Sequence, residues 1–367
     1  MNLVNRGSSI STGGKGIHDR ADGDFYATQS KTVQALLDTF ELKGSILEPA
    51  CVDENTEYFN GKEWVKISKY VEGDKVLQYV NGIAELTKPI GFIKEKADKF
   101  FEFENHLINM KLSPEHLVYF YDYKDRLKCE PMKEIYLKHY NDRNGFRGKI
   151  PTSFKYGGNL RIDEWLLRLA VVVIADGRVR SNRNYCEVKL KKERKQTRLE
   201  YLLTQANIPY EIRFEDECKN YLFYSPHAIK DFPYEWYNLT LECKQVIAEE
   251  VFFWDGHISN EGVKSYYTTN KHNFDFIQFT LHSCGYSTNI SIYNRGNGCK
   301  TEYSLLLLNK RSCSMRKSSG RYDINVTNVC DKKGAYKYCF KVNSGMLILR
   351  RNNKIFITGN CGMGAYQ

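Results

Sequence analysis

The chain has 367 residues, 42% of them hydrophobic, enough to build the cores of two or three domains and too many for a disordered or fibrous protein. Its 54 Lys and Arg against 44 Asp and Glu leave ten positive charges, which fits a polyanionic partner or a solvated basic surface. Eleven scattered cysteines without a C-x-x-C pair speak for reduced thiols in a cytoplasm rather than a disulfide scaffold, and the run LAVVVIA is too short to span a bilayer.

Residues 1–50 begin with a polar stretch, carry an aromatic patch DFYAT, and continue into an expected helix, SKTVQALLDTFEL, and a buried strand ending at Ala50. A nucleotide-binding chain would place a glycine turn directly after such a strand. Instead, residues 51–158 show short alternating segments such as KVLQYV and FFEFEN, with turn signals at Asn60-Gly61 and Asn81-Gly82, and read as all-β. A Gly-rich polar passage leads into helical periodicity alternating with strands, an α/β or α+β domain over 159–321. NKRSCSMRKSSGRYD reads as a basic, Ser-rich linker, and residues 322–360 resume the β pattern with YCFKVN, MLILRR and KIFITGN. The missing glycine turn follows at 361–367: joining Ala50 to Cys361 restores ILEPACGMGAYQ.

The borders of the interrupting segment carry matching chemistry. A thiol at Cys51 can attack the preceding carbonyl and turn the Ala50–Cys51 amide into a thioester, which a second thiol at Cys361 can capture. Asn360 has a side-chain amide able to cyclise onto its own carbonyl and cut the chain. On these residues, together with LSPEH (Leu112 to His116) and the ending RRNNKIFITGNC, the segment resembles an intein, a self-splicing insert. The resemblance implies an all-β, horseshoe-like splicing domain of the Hint type and excision of residues 51–360 with ligation of Ala50 to Cys361. It also implies that Ser113 orients the first scissile peptide and that His116 protonates the departing Cys51 nitrogen. Two departures stand out. Gly359 occupies the place where the family commonly has His, and Cys339 falls where it often has Asp, as a proton carrier or as packing.

Within the segment, LAVVVIADG (169–177) resembles the LAGLIDADG motif of homing endonucleases, and AEEVFFWDG is a second, weaker copy. The resemblance implies an α+β domain built on αββαββ repeats. Its two motif helices would pair and bring Asp176 and Asp255 together as a magnesium site for cutting double-stranded DNA, with the chain acting as a monomer. Lys271 looks like the basic residue following the second motif, and Lys191 or Lys192 like its counterpart in the first half. EVKLKKERKQTR and RNGFRGK read as phosphate-contacting stretches. A splicing segment whose endonuclease binds DNA without cutting it is the competing reading. The flanks, DFYAT with ILEPACGMG, resemble an adenine-type DNA methyltransferase. There Glu48, Pro49, Gly362 and Gly364 would form the S-adenosylmethionine turn of the complete spliced host, flanked by Phe25 and Tyr26.

Overall fold

The computed structural model describes residues 51–180, 184–296, 298–317, 323–329 and 335–360. The helix and strand expected before residue 51, together with Phe25, Tyr26, Glu48, Pro49, Cys361, Gly362 and Gly364, lie outside the described residues. The chain is β-rich, with five α-helices among the described residues, and none of them is long and apolar enough to cross a membrane.

The first part forms β1 (Glu57–Phe59), β2 (Trp64–Lys66), β3 (Val76–Val80), β4 (Ile83–Thr87), β5 (Gly91–Lys96), β6 (Lys99–Glu104), β7 (Asn109–Leu112), β8 (Leu117–Tyr121) and β9 (Leu127–Pro131). It continues with helix α1 (Met132–Asn141) and strand β10 (Lys149–Pro151). The Asn81-Gly82 signal is a two-residue hairpin turn between β3 and β4, with φ of 48° and 92°, the left-handed pair that Asn-Gly adopts most readily. Helix α1 corrects the all-β expectation for this region. Its buried Met132, Ile135 and His139 recur at helical spacing, a signal submerged among charged residues.

Residues of the central part form two units of the same order. The first is α2 (Glu164–Asp176), β11 (Gly177–Arg180), β12 (Tyr185–Leu190), α3 (Glu193–Gln205), β13 (Tyr210–Glu215) and β14 (Cys218–Tyr224). The second is α4 (Leu241–Trp254), β15 (Gly256–Ile258), β16 (Lys264–Thr268), α5 (Lys271–Ser283), β17 (Ser287–Tyr293) and β18 (Glu302–Leu308). Their antiparallel sheets have corresponding orders, β11-β12-β14-β13 and β15-β16-β18-β17, so each unit is an αββαββ module. Asp163 caps α2 by accepting from the N–H groups of Trp165 and Leu166, and Thr240 caps α4. Helices α2 and α4 pack on each other. Among their apolar side chains lies Glu250, wholly buried, and ion-paired with Arg168 of α2 at 2.9 Å and with Arg198 of α3 at 2.5 Å. Trp254 Nε1 adds a further hydrogen bond to it, so the buried carboxylate is satisfied on several sides.

The last part contributes β19 (Ser312–Ser314), β20 (Ile324–Asn328), β21 (Tyr336–Lys341), β22 (Met346–Arg351) and β23 (Lys354–Gly359). Every one of these strands except β23 pairs with a strand from the first part: β19 with β10, β20 with β6, β21 with β5, and β22 with β1 and β3. Strand β23 folds back on β22 through Asn352-Asn353, whose φ values of 48° and 60° make another tight hairpin. Strand β19 falls where the sequence reads as a linker. Cys313, buried between two serines, supplies its one inward side chain.

One apolar core joins the outer β body to the central domain. Phe59 stacks on Phe279 of α5 with ring centroids 4.4 Å apart, and Arg350 of β22 reaches both Glu57 and Asp275 of α5. A second core, with Tyr58, Phe103, Met110, Phe340 and Phe356, is confined to the outer body.

Candidate active sites

Two constellations of functional side chains stand out, one in each part of the molecule. The first lies where β7, β21 and β23 converge. Cys51 and Val52 run between β7 and β21: Val52 exchanges hydrogen bonds with Tyr338 at 2.8 and 2.9 Å, and Cys51 O accepts from Ser113 N–H at 2.8 Å. Because Val52 and Tyr338 exchange both bonds, the next pair outward, Cys51 and Cys339, sits in the closer, non-hydrogen-bonded position. The two buried thiols pack together there, with Ile93 against them. Cys339 therefore stands beside Cys51.

The amide N–H of Cys51, the nitrogen of the Ala50–Cys51 peptide, donates to Ser113 Oγ at 3.0 Å. Ser113 and His116 occupy one tight turn, His116 N–H donating to Ser113 O at 3.1 Å, and both side chains are buried. His116 Nε2 is 2.7 Å from Thr358 Oγ1. Thr358, wholly buried, is two residues before Asn360 on β23. Asn360 is held by Nδ2 donating to Val342 O at 2.8 Å and by its N–H donating to Gly345 O at 2.9 Å. Behind this cluster Arg351 of β22 grips both oxygens of Asp53, two residues after Cys51, and also reaches Glu102, so both ends of the segment are clamped to one guanidinium. Thr358 and the Arg351–Asp53 pair carried no signal in the sequence, because each becomes meaningful only through a partner more than 200 residues away.

The histidine that the resemblance leads one to expect before Asn360 has no room. A Cβ at Gly359 would lie 2.4 Å from Leu117 O and 3.1 Å from Tyr119 Cε2, so β23 passes flush against β8 at this residue. Only glycine permits that approach.

The second constellation lies at the paired ends of α2 and α4. Asp176 is the last residue of α2 and Asp255 caps α4, and each is followed by a glycine packed against its own helix. A Cβ at Gly177 would meet Val173 Cα at 2.8 Å, and one at Gly256 would meet Phe252 Cα at 2.6 Å. Burial, and then the charge of Asp176, push the Asp255 carboxyl up to about 6, against the opposing pull of Lys195 and Lys230. The two carboxylates thus feel each other. Lys195 of α3 ion-pairs with Asp176. Lys230 Nζ donates to the carbonyls of Val173, Ile174 and Gly177 at 2.7–2.9 Å, capping the C-terminal end of α2, and burial lowers its pKa.

These cations differ from those singled out in the sequence. Lys191 pairs with Glu217 at the surface, and Lys271, at the start of α5, pairs with Asp275, which Arg350 also engages at the seam. Within the expected phosphate-contacting stretch, Lys189, Lys191, Lys195 and Arg198 each face a carboxylate. Lys192 and Arg194, with Tyr201, Phe253 and His257, line an open groove beside α3 and α4.

A divalent cation fits the Asp176–Asp255 pair in its donor chemistry. Asp255, whose carboxyl is raised by burial and by the charge of Asp176, is an oxygen donor that a cation beside Asp176 would relieve, and a hard divalent cation completes its shell with water. Among the described residues no group of three or more His, Cys, Asp or Glu side chains offers a fuller cage.

No protein-family model matches the chain. The beta subunit of ribonucleoside-diphosphate reductase from Aquifex aeolicus (strain VF5) is 24% identical over 371 residues, covering 86% of this chain and 51% of that protein. The chain thus spans about half the length of the curated relative it matches. Similar solved structures include mesophilic variants of the homing endonuclease I-DmoI, 12% identical with a TM-score of 0.30 over 39% of this chain and 88% of that one. Other structures of I-DmoI hold DNA with manganese or calcium. A splice-inactive variant of the AceL NrdHF class 3 split intein is 9% identical, with a TM-score of 0.34 over 86% of this chain and 100% of that one.

Proposed function

We propose that residues 51–360 excise themselves and join Ala50 to Cys361. The observation that carries this reading is the unbroken line of contacts from one border to the other. Cys51 N–H donates to Ser113, His116 shares the turn of Ser113, and His116 meets Thr358 two residues before Asn360. In the first step the Cys51 Sγ–carbonyl bond forms and the Ala50–Cys51 C–N bond breaks. The thiol proton ends on the released amine, with His116 as its carrier, because an unprotonated amine leaves poorly. Cys361 then takes the acyl group, Asn360 cyclises to cut the second junction, and the thioester rearranges to an amide. Since Cys339 packs on Cys51, it is placed to act at the first junction as well.

The roles separate by substitution. Cys51→Ala should abolish thiol-induced cleavage at residue 50 while leaving slow cleavage after Asn360. Asn360→Ala should do the reverse, and thiol-induced cleavage surviving in Cys51→Ala would overturn the assignment.

The central domain is, on this reading, a DNA endonuclease with Asp176 and Asp255 as its metal-binding carboxylates. Bound magnesium would activate water and stabilise the leaving oxygen. Asp176 and Asp255 would supply oxygen ligands at the helix ends, while Lys230 holds the end of α2 in place. The pairing of Lys195 with Asp176 favours a second reading, in which a protein cation takes the metal's place and the domain binds DNA without cutting. The flanks, read as methyltransferase, would bind S-adenosylmethionine only in the spliced host.

A further inference from the structure

We propose that Thr358 is a positioning residue for the first junction, setting the tautomer of His116; this rests on the splicing reading above. A neutral imidazole carries one ring proton, and its location decides which nitrogen can donate. His116 Nε2 and Thr358 Oγ1 are 2.7 Å apart in a site sealed from solvent, both residues being at most 1% exposed. Two arrangements satisfy that contact: the hydroxyl donates to a bare Nε2, or a protonated Nε2 donates to the hydroxyl. Only the first leaves the proton on Nδ1 of a neutral ring. With Nε2 engaged by Thr358, Nδ1 is the nitrogen that must serve the Cys51 amine. A hydroxyl donating to Nε2 therefore loads the acid on the atom that uses it.

The placement of Thr358 is as constrained as its contact. Strand β23 pairs residue for residue with β22, Thr358 opposite Leu347, and its next residue, Gly359, is pressed against Leu117. The hydroxyl cannot slide away from His116 without moving the strand that leads into Asn360. His116 is fixed from the other side as well, since Met132 N–H donates to His116 O at 2.8 Å. The ring and the hydroxyl are thus held by different elements, and neither needs to reorganise when the amide opens.

The step itself adds no reactant. The thiol proton of Cys51 replaces the proton that His116 gives to the amine, so the ring returns to its starting tautomer.

The test uses the full chain carrying Asn360→Ala, so that only the upstream junction reacts, and reads thiol-induced cleavage with dithiothreitol. Thr358→Val, close in shape but lacking the hydroxyl, should slow cleavage about 10- to 100-fold, less than the roughly 100- to 10,000-fold that a whole general acid contributes because His116 itself remains. Thr358→Ser should restore it to within a few-fold. Nitrogen-15 NMR of histidine-labelled chain, in the same background with Cys51→Ala, should show His116 protonated at Nδ1, and a shifted tautomer balance in Thr358→Val. Parent-rate cleavage in Thr358→Val, no rescue by Thr358→Ser, or an Nε2-protonated His116 in the parent would each overturn the proposal and leave the splicing reading standing. No thiol-dependent cleavage in the Asn360→Ala parent would instead remove the splicing reading, and this proposal with it.

Discussion

At the scale of single residues, Gly359 shows how packing decides chemistry. The strand that delivers Asn360 lies so close to β8 that a methyl group at 359 would collide with Leu117 O. Gly359→Ala should destabilise the trapped Asn360→Ala chain by about 1–3 kcal/mol, the usual cost of overpacking a tight contact. Thermal unfolding measures it, and an unchanged midpoint would show that β23 can shift. Cys51 and Asn360 stood out in the sequence by residue type at the borders of the segment, and Ser113 and His116 by their three-residue spacing within LSPEH. Thr358 did not, since a threonine in a β-strand is ordinary and gains a role only beside an imidazole brought from residue 116. Lys195, though inside EVKLKKERKQTR, and Lys230 carry no signal of their places at the helix ends, which only the fold supplies: Lys195 pairs with Asp176, and Lys230 donates to the carbonyls that end α2.

At the scale of elements, the sequence pattern alone reads as an α/β or α+β domain, and the αββαββ order is expected only through the resemblance carried by the two Asp-Gly motifs, while α1 and β19 leave no such signal. Helix α2 is apolar over most of its circumference, as a buried helix is, whereas α1 buries a narrow stripe and β19 one thiol. Asp176 and Asp255 end helices of the central domain, and Ser113, His116 and Thr358 lie on the outer β body. Asp176→Asn or Asp255→Asn should therefore stop cutting of DNA while splicing continues at the parental rate. The substrate should be uninterrupted DNA encoding Glu48-Pro49-Ala50 joined to Cys361-Gly362-Met363-Gly364, incubated with magnesium. Binding without cutting by the parent would support the Lys195-occupied reading, and loss of splicing in either variant would contradict the separation of sites.

At the scale of the whole molecule, the outer body and the central domain share one core, and their seam contains a titratable group. His282 of α5 donates from Nδ1 to Thr152 O and accepts at Nε2 from Thr288, and burial lowers its pKa to about 4. The folded state thus holds the neutral ring, so its contribution is present above the unfolded value near 6.5 and is lost as pH falls from there towards 4. The loss amounts to about 3 kcal/mol. His282→Gln should flatten the stability profile between pH 6.5 and 4, and an unchanged slope would place the titration elsewhere. The interleaving of β19–β22 with the first-part strands also gathers both borders of the segment into one β body built of several sheets, the arrangement on which the proposed self-excision rests. The most direct test of that central claim is the intact mass of the chain after expression under reducing conditions. Splicing predicts two products, the segment 51–360 ending in Asn or aminosuccinimide and a short ligated chain containing LEPACGMG. A single stable polypeptide of 367 residues, with neither product, would contradict it.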